Sequence, residues 1–141
     1  MADDAKIREL FASRTNGVLV TLKRDGRPQL SNIRYAFDPA EELIRVSVTA
    51  DRVKAKNLAR DPRASLYATS EDFWTWAVAE GTAELTPVAA APDDDTVEEL
   101  IDLYRTLDGE HPDWDDYRAA MVRDRRLVVK LHVEHFYGQT P

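Results

Sequence analysis

Six apolar, β-rich segments constrain the fold of this chain more than any other feature of its sequence. They lie in VLVTL, in the run after Pro28, in residues 42–49, 63–70 and 73–87, and in the closing RRLVVKLHVEHFYG. An Asp25-Gly26 turn between the first two is typical of a β-hairpin, and few of the strand pairs have a helical pattern between them. The sequence therefore predicts a mainly β (α+β) fold, with an antiparallel barrel rather than a parallel α/β sheet.

Four helical patterns lie between or before these strands. The first covers residues 4–13, with Gly17 expected to end it, and the second runs from about Arg52 to Arg60, capped by Thr49 or Asp51. The third has cap candidates at Asp93 to Asp95 and Gly109 at its end, and PDWDDYRAAMVRD indicates a fourth. Gly81 is expected to form a bulge in the strand over 73–87. A chain of 141 residues without a linker predicts one domain over 1–141.

The acidic charge of the chain is concentrated in one window and limits the partners that we expect. The formal net charge is −7, and residues 93–116 contain eleven acids and one base. This distribution argues against a nucleic-acid or membrane-surface binder and favours a small anionic ligand. No leader and no apolar stretch of membrane-spanning length is present, so we expect a cytoplasmic protein. His132 and His135 are three residues apart on a predicted strand and would face opposite sides, so no metal site is predicted.

The segment RVKAKNLARDPR (52–63) holds five basic side chains against one acid. Arg52 and Lys54 lie where a strand gives way to a helix, so they could bind a phosphate together with the free amides of the helix N-terminus. Ser31 and Asn32 on a preceding strand could hydrogen-bond a planar heterocycle. The alternative is a solvated basic helix end, which is a common feature of protein surfaces.

Two tryptophans that are two residues apart also allow two interpretations. Trp74 and Trp76 would share one face of the strand predicted over 73–87. Core packing explains such a pair, and a flat wall beside an aromatic ligand explains it as well. The sequence pattern alone leaves both open.

Four stretches, taken in order, resemble a known family. They are GVLVTLKRDGRPQLSNIRYAFD, TADRVKAKNLARDPRASLYATSED, WAVAEGTAELTP and HPDWDDYRAAMVRDRR. They are similar to the pyridoxamine-phosphate-oxidase-like split β-barrels, and more narrowly to the B group of flavin/deazaflavin oxidoreductases, which use the deazaflavin coenzyme F420. The resemblance implies a six-stranded antiparallel split β-barrel of the FMN-binding-protein type with peripheral helices. It also implies a homodimer with two cofactor sites at the subunit interface.

The resemblance places the cofactor-binding residues. The family's phosphate-binding pair falls on Arg52 and Lys54, and the ring and ribityl chain would lie along the preceding strand. The residues matched to the cofactor site are Gln29, Ser31, Asn32, Ser47, Val48, Thr49, Arg52, Lys54, Asn57 and Trp74. Trp74 would lie near the ring, and its side chain could reach the site of the other subunit. No catalytic acid or base is assigned.

The activity that the resemblance implies is hydride transfer from reduced F420 to a small electron-poor acceptor, such as an enone, a quinone or a tetrapyrrole. Three alternatives remain open. A haem-degrading role within the same fold is one. An FMN-binding oxidoreductase of this fold is the second, because FMN offers a phosphate to the same basic pair. A non-catalytic F420 carrier is the third, because no acid or base residue stands out. The chain stops at HFYGQTP, before the C-terminal segment of pyridoxal-phosphate-binding relatives, which argues against pyridoxamine oxidation.

Overall fold

The structure is a computed structural model that describes residues 4–141, and it is built on one antiparallel sheet of seven strands. The strands are β1 Asn16–Leu22, β2 Pro28–Arg34, β3 Ala36–Asp38, β4 Leu43–Thr49, β5 Arg63–Thr69, β6 Trp76–Leu85 and β7 Arg126–Gln139. The helices are α1 Asp4–Ser13, α2 Val53–Arg60, α3 Asp95–Asp108 and α4 Trp114–Arg123. The order across the sheet is β2-β1-β5-β6-β7-β4-β3, and the sheet curls so that β2 and β4 line a common cavity.

The strand count of seven corrects the six predicted from the sequence. The run after Pro28 is interrupted at Tyr35, so that β2 pairs with β1 and β3 pairs with β4. Tyr35 is fully buried, its hydroxyl donates to the carbonyl of Phe11 at 2.9 Å, and its amide donates to the carbonyl of Thr15 at 2.8 Å. These contacts fix the chain at the point where it leaves one strand neighbour for another.

The main core fills the concave side of the sheet and is closed by α1. Ile7, Leu10 and Phe11 are buried there, at the helical spacing that the sequence shows. In the segment 42–49 the sequence alternates in a way that indicates a half-buried strand, and Ile44, Val46 and Val48 of β4 are buried on alternate positions. Each such aliphatic side chain stabilises the fold by about 1.5–3 kcal/mol relative to full exposure.

A second, smaller core lies where α3 and α4 pack against β7. Val97, Leu100 and Ile101 of α3 contact Val128, and α4 adds partly buried side chains around them. α3 begins at the N-cap Asp94, whose side chain accepts a hydrogen bond from the amide of Val97 at 2.9 Å. The cap prediction is thus confirmed. The two helices lie beside β4 and β7, where they form one wall of the cavity described below.

Local boundaries differ from the sequence predictions at three places. α1 ends at Ser13, and Gly17 lies within β1, where a side chain would meet the carbonyl of Tyr67 at 2.9 Å. α2 has Arg52 as its N-cap and no side-chain cap, so neither Thr49 nor Asp51 caps it. β6 begins only at Trp76, because residues 70–75 form turns.

The predicted bulge at Gly81 is confirmed, since the register between β6 and β7 shifts between Glu80 and Gly81. Glu134 of β7 is the extra residue there, and it accepts a hydrogen bond from Thr82 at 2.7 Å. Within residues 4–141, no helix combines the length and the apolar character required to cross a membrane. The same residues contain no cluster of three or more side chains able to hold a metal ion.

Candidate functional site

A cavity of about 600 Å³ lies between β2, β4 and the α3–α4 pair. The strand side consists of four polar residues, Asn32, Arg34, Ser47 and Thr49, together with Ile33 and Val48. The helices contribute a largely apolar wall, which consists of Leu100, Leu103, Tyr104, Leu107, Tyr117 and Met121. The cavity therefore has one hydrogen-bonding side and one apolar side, as suits a flat polar ring.

Three cations converge at one end of this cavity. They are Arg52, the N-cap of α2, Lys54 in its first turn, and Arg126 at the start of β7. Burial lowers the pKa of Lys54, and the nearby charges of Arg52 and Arg126 lower it further. None of the three side chains has an ion-pair partner within the part of the chain that the structure describes. An anion bound between them would relieve this repulsion.

The strand pairing explains how Arg126 comes to this place. Thr49 at the end of β4 pairs with Arg126 of β7, so the guanidinium is held beside the turn that leads into α2. The Nε of Arg126 is buried and has no hydrogen-bond partner among the described residues. A buried donor of this kind is costly unless something binds it, and an anion in the cavity would do so.

Backbone amides add to the positive end. The side chain of Arg52 makes no cap hydrogen bond to α2, and the first amides of a helix have no acceptor within the helix itself. The amides of Val53 and Lys54 therefore have no acceptor within the helix, and Lys54 itself lines the cationic end of the cavity. Together they provide the donors and the charge that a phosphate group requires.

The helical wall of the cavity is held in place by polar and aromatic contacts. The hydroxyl of Tyr117 donates to the carbonyl of Leu100 at 3.1 Å, and burial raises the pKa of Tyr117 to about 12. Tyr104, His111 and Trp114 surround Tyr117 with ring centroids between 5.1 and 5.6 Å apart. Tyr117 thus stays neutral at physiological pH and fixes α4 against α3.

An ion pair between two lining residues joins the strand side of the cavity to its helical side. Arg34 of β2 contacts Asp108, the last residue of α3, at 3.0 Å. Both side chains are partly exposed, so this contact contributes little to stability. It does connect the edge strand to the helical wall.

Six of the ten residues predicted for the cofactor site line the cavity, namely Asn32, Ser47, Val48, Thr49, Arg52 and Lys54. Gln29 and Ser31 lie nearer the start of β2 and do not line it. Arg126 was missed by the sequence reasoning, because two arginines before a strand carry no signal until the β4–β7 pairing is known. The wall residues Tyr104 and Tyr117 lie in segments that were predicted to be helical, and neither was predicted to line a site.

Asn57 lies outside the cavity, in the contact between α2 and β1. It is 5% exposed, and its Nδ2 donates to the hydroxyl of the fully buried Thr21 at 3.1 Å. Its Oδ1 accepts from Arg60 at 3.3 Å. In the described chain this side chain joins the helix to the sheet.

Trp74 also lies outside the cavity, in the turn between β5 and β6. The prediction that Trp74 and Trp76 share a strand face is wrong, because Trp74 precedes the strand and is 73% exposed. The turn is held by Asp72, which accepts from the hydroxyl of Ser70 at 2.6 Å and from the amide of Trp74 at 3.0 Å. Beside it, Phe73 has a φ of 70° and is 68% exposed. Two large aromatic side chains are thus presented on a well-defined turn.

Comparison with known proteins places the chain in a family. The family model described as pyridoxamine 5'-phosphate oxidase matches residues 3–140, and the chain therefore belongs to the pyridoxamine 5'-phosphate oxidase family, with its split-barrel fold. Solved structures support this fold at low sequence identity.

An F420 reductase superposes with a TM-score of 0.70 at 22% identity, over 92% of this chain and 94% of that one. A conserved hypothetical protein from Mycobacterium tuberculosis gives a TM-score of 0.74 at 23% identity, over 99% of this chain and 85% of that one. A FAD-binding protein from Mesorhizobium loti gives 0.69 at 16% identity, over 97% of this chain and 94% of that one. At these identities the likeness concerns the fold alone.

Proposed function

We propose that this protein is an oxidoreductase that uses coenzyme F420 and reduces an electron-poor organic acceptor of the enone, quinone or tetrapyrrole type. The observation that carries the proposal is the convergence of Arg52, Lys54 and Arg126 at one end of a cavity with an apolar wall. The structural likeness to an F420 reductase supports the same interpretation. The donor set fits a phosphate, which F420 contains, because the described chain gives the buried Nε of Arg126 no partner.

The residues of the cavity would have distinct roles in holding the cofactor. Arg52, Lys54 and Arg126 would bind the phosphate, with help from the open amides of α2. Ser47 and Thr49 on β4, with Asn32 on β2 opposite, would hydrogen-bond the polar side of the ring and its chain. When bound, reduced F420 supplies a hydride for transfer to the acceptor.

The apolar wall formed by α3 and α4 would exclude water from the ring and orient the acceptor beside it. Tyr117 offers no proton at its hydroxyl, which already donates to a carbonyl and has a raised pKa. We therefore assign no acid or base, and solvent at the mouth of the cavity would protonate the product. A cavity with one polar and one apolar face positions a ring without needing a titratable group.

A homodimer forms part of the same proposal. Trp74 and Phe73 are exposed on the turn before β6, where a second copy of the chain would cover them. In that arrangement Trp74 would reach toward the ring bound by the partner. Trp74→Ala should weaken the dimer in sedimentation experiments and should weaken cofactor binding at the same protein concentration, whereas a monomeric wild-type protein would contradict the dimer.

A second candidate function is an FMN-dependent oxidoreductase of the same fold. The structural likeness to a FAD-binding protein favours keeping it, since FMN presents a phosphate of the same charge. The two candidates predict different ligands for one cationic cluster.

Fluorescence titration of the purified protein with F420 and, separately, with FMN would decide between them. We expect micromolar or tighter binding of F420, weak binding of FMN, and loss of F420 binding in Arg126→Gln. Lys56→Met is the matched control, because Lys56 is exposed on the same helix and lines no part of the cavity. Preference for FMN would support the second candidate, and binding of neither ligand would refute both.

Turnover is tested separately. Reduced F420 and a panel of enones, quinones and tetrapyrroles should give oxidation of the cofactor that depends on the acceptor. Tight binding without turnover of any acceptor would instead indicate a carrier that protects F420.

A further inference from the structure

The last five residues of α3 are supported differently from the rest of the helix. All of the buried residues of α3 lie within 96–103, in the part of the helix that packs against β7. Tyr104 and Leu107 are only partly buried, and together with Asp108 they line the cavity. Residues 104–108 therefore form an overhang, with the cavity between them and the strands.

Ring contacts join this overhang to the start of α4. The ring of Tyr104 packs against the rings of His111, Trp114 and Tyr117. The guanidinium of Arg105 lies 4.8 Å from the ring centroid of Trp114. Among the described residues, α4 contributes no fully buried side chain. The overhang and the start of α4 should therefore move as one unit when they move.

The ion pair between Arg34 and Asp108 ties this unit to the sheet. Nη1 of Arg34, at the end of β2, donates to Oδ2 of Asp108 at 3.0 Å. Within residues 4–141, no other hydrogen bond or ion pair joins residues 104–117 to a strand. The position of the overhang relative to β2 thus depends on one polar contact.

Asp108 is an unfavourable residue for the helix alone. It is the last residue of α3, and a helix C-terminus carries a partial negative charge, so an acid at this place lowers helix stability. Arg34 offsets this cost by supplying the opposite charge from another element. A residue that its own helix disfavours indicates that the contact with β2 is the use of this carboxylate.

The ion pair also lies where two open spaces meet. A second cavity, of about 560 Å³, adjoins the first one and shares Asn32, Ile33 and Arg34 with it. This second cavity continues along β1 and β5, where Gly17 and Tyr67 line it. The ion pair therefore borders a route by which a ligand would reach the first cavity.

We propose that Arg34 and Asp108 are positioning residues that hold the overhang over the cavity and thereby set the rate at which a ligand enters and leaves. When the pair is closed, the overhang covers the ligand. When the pair is broken, the overhang and the start of α4 move away from β2 and open the mouth of the cavity. This inference goes beyond the choice of cofactor, because it holds for any ligand of the cavity.

Loss of the pair should change rates and leave affinity almost unchanged. The pair is closed in both the empty and the occupied protein, so its removal destabilises both states equally. Association and dissociation should then both become faster by about 1.5- to fivefold, the range for a partly exposed ion pair. The dissociation constant, which is the ratio of the two rates, should stay the same.

Stopped-flow fluorescence with F420, and with FMN as a second probe, measures both rates. The variants are Arg34→Met, Asp108→Asn and the exchanged pair Arg34→Asp with Asp108→Arg. The matched control is Arg45→Met. Arg45 pairs with Asp102 of the same helix at 2.7 Å, and neither residue lines either of the two cavities.

Both single variants should accelerate association and dissociation, and the exchanged pair should restore the wild-type rates. Arg45→Met should leave both rates unchanged. Arg34→Met removes a positive charge and Asp108→Asn removes a negative one, so a purely electrostatic effect on an anionic probe would shift their association rates in opposite directions. That outcome, or unchanged rates in both single variants, would overturn the inference.

Hydrogen exchange of the ligand-free protein tests the same contact without any ligand. Amides of residues 104–108 should exchange faster in both single variants, and those of residues 97–103 should not change. If neither F420 nor FMN binds, the proposed function fails, and the exchange result alone decides the inference. Unchanged exchange in the overhang would then overturn it.

Discussion

Replacing Lys54 by methionine should make the ligand-free protein more stable and should greatly weaken its affinity for the ligand. Lys54→Met keeps most of the aliphatic stem and removes the charge, so packing is largely preserved. In the ligand-free protein, Lys54 is partly buried and lies near the charges of Arg52 and Arg126. Removing one of three like charges should stabilise the fold by up to about 1 kcal/mol, the upper range for exposed charge pairs.

The same change removes a charged hydrogen-bond donor from the proposed phosphate site. Such a bond contributes about 1.5–3 kcal/mol, which corresponds to an affinity loss of about 10- to 150-fold. Fluorescence titration measures the affinity, and chemical denaturation without ligand measures the stability. Lys56→Met serves as the control for both, because Lys56 is exposed on the same helix and lines no part of the cavity.

The pH dependence gives an independent check. The pKa of Lys54 is lowered in the folded protein from 10.5, so its charged form opposes folding at every pH below the folded value. This unfavourable contribution of charged Lys54 to stability disappears as the pH rises from the pKa of Lys54 in the folded protein to 10.5. The stability advantage of Lys54→Met should therefore be largest near neutral pH and shrink toward pH 10.5. A less stable variant with unchanged affinity would refute the assignment of Lys54 to an anion site.

Three further changes test other parts of the structure. Asn57→Ala should lower the free energy of unfolding, measured by chemical denaturation, by about 1–3 kcal/mol, because it leaves the hydroxyl of the buried Thr21 without its partner. The folded fraction should keep its affinity for the cofactor. Asp94→Ala should cost about 1 kcal/mol through loss of the α3 cap. Burial would raise the pKa of Asp94, but hydrogen bonds from backbone amides outweigh burial and lower this pKa below 3.8. The wild type should therefore be more stable than Asp94→Ala above that pH. The difference in unfolding free energy should vanish as the pH falls through the pKa of Asp94 in the folded protein. Gly138→Ala should lower the midpoint of thermal unfolding sharply, because its methyl would lie 2.2 Å from the carbonyl of Trp76; an unchanged midpoint would contradict the packing.

Features that depend on a few neighbouring residues could be predicted from the sequence. The alternation of Ile44, Val46 and Val48 indicated a half-buried strand, and β4 has that pattern. Asp94 and Gly109 bound α3 at the ends that capping chemistry predicts. In each case the signal and the structure lie within one element, so no distant contact was needed.

Features that depend on contacts between distant segments were missed. β3 is separate because Tyr35 is anchored to Phe11 of α1, and no local pattern shows that contact. Arg126 joins Lys54 only through the pairing of β4 with β7, which sequence spacing does not reveal. Asn57 lies one helical turn beyond Lys54 in the sequence, but its side chain packs against β1 and donates a hydrogen bond to Thr21 instead of lining the cavity.

The position of β2 at the open edge of the sheet means that the cavity has walls of unequal stability. β2 pairs only with β1 and has no fully buried residue, whereas β4 pairs with β7 along its whole length. Amide hydrogens of β2 should therefore exchange with solvent through local opening, and those of β4 opposite β7 should exchange mainly through global unfolding. A ligand in the cavity contacts both strands, and it should slow exchange chiefly in Asn32 to Arg34. Hydrogen exchange along this single strand would thus report occupancy of the cavity for any ligand, including an acceptor without fluorescence.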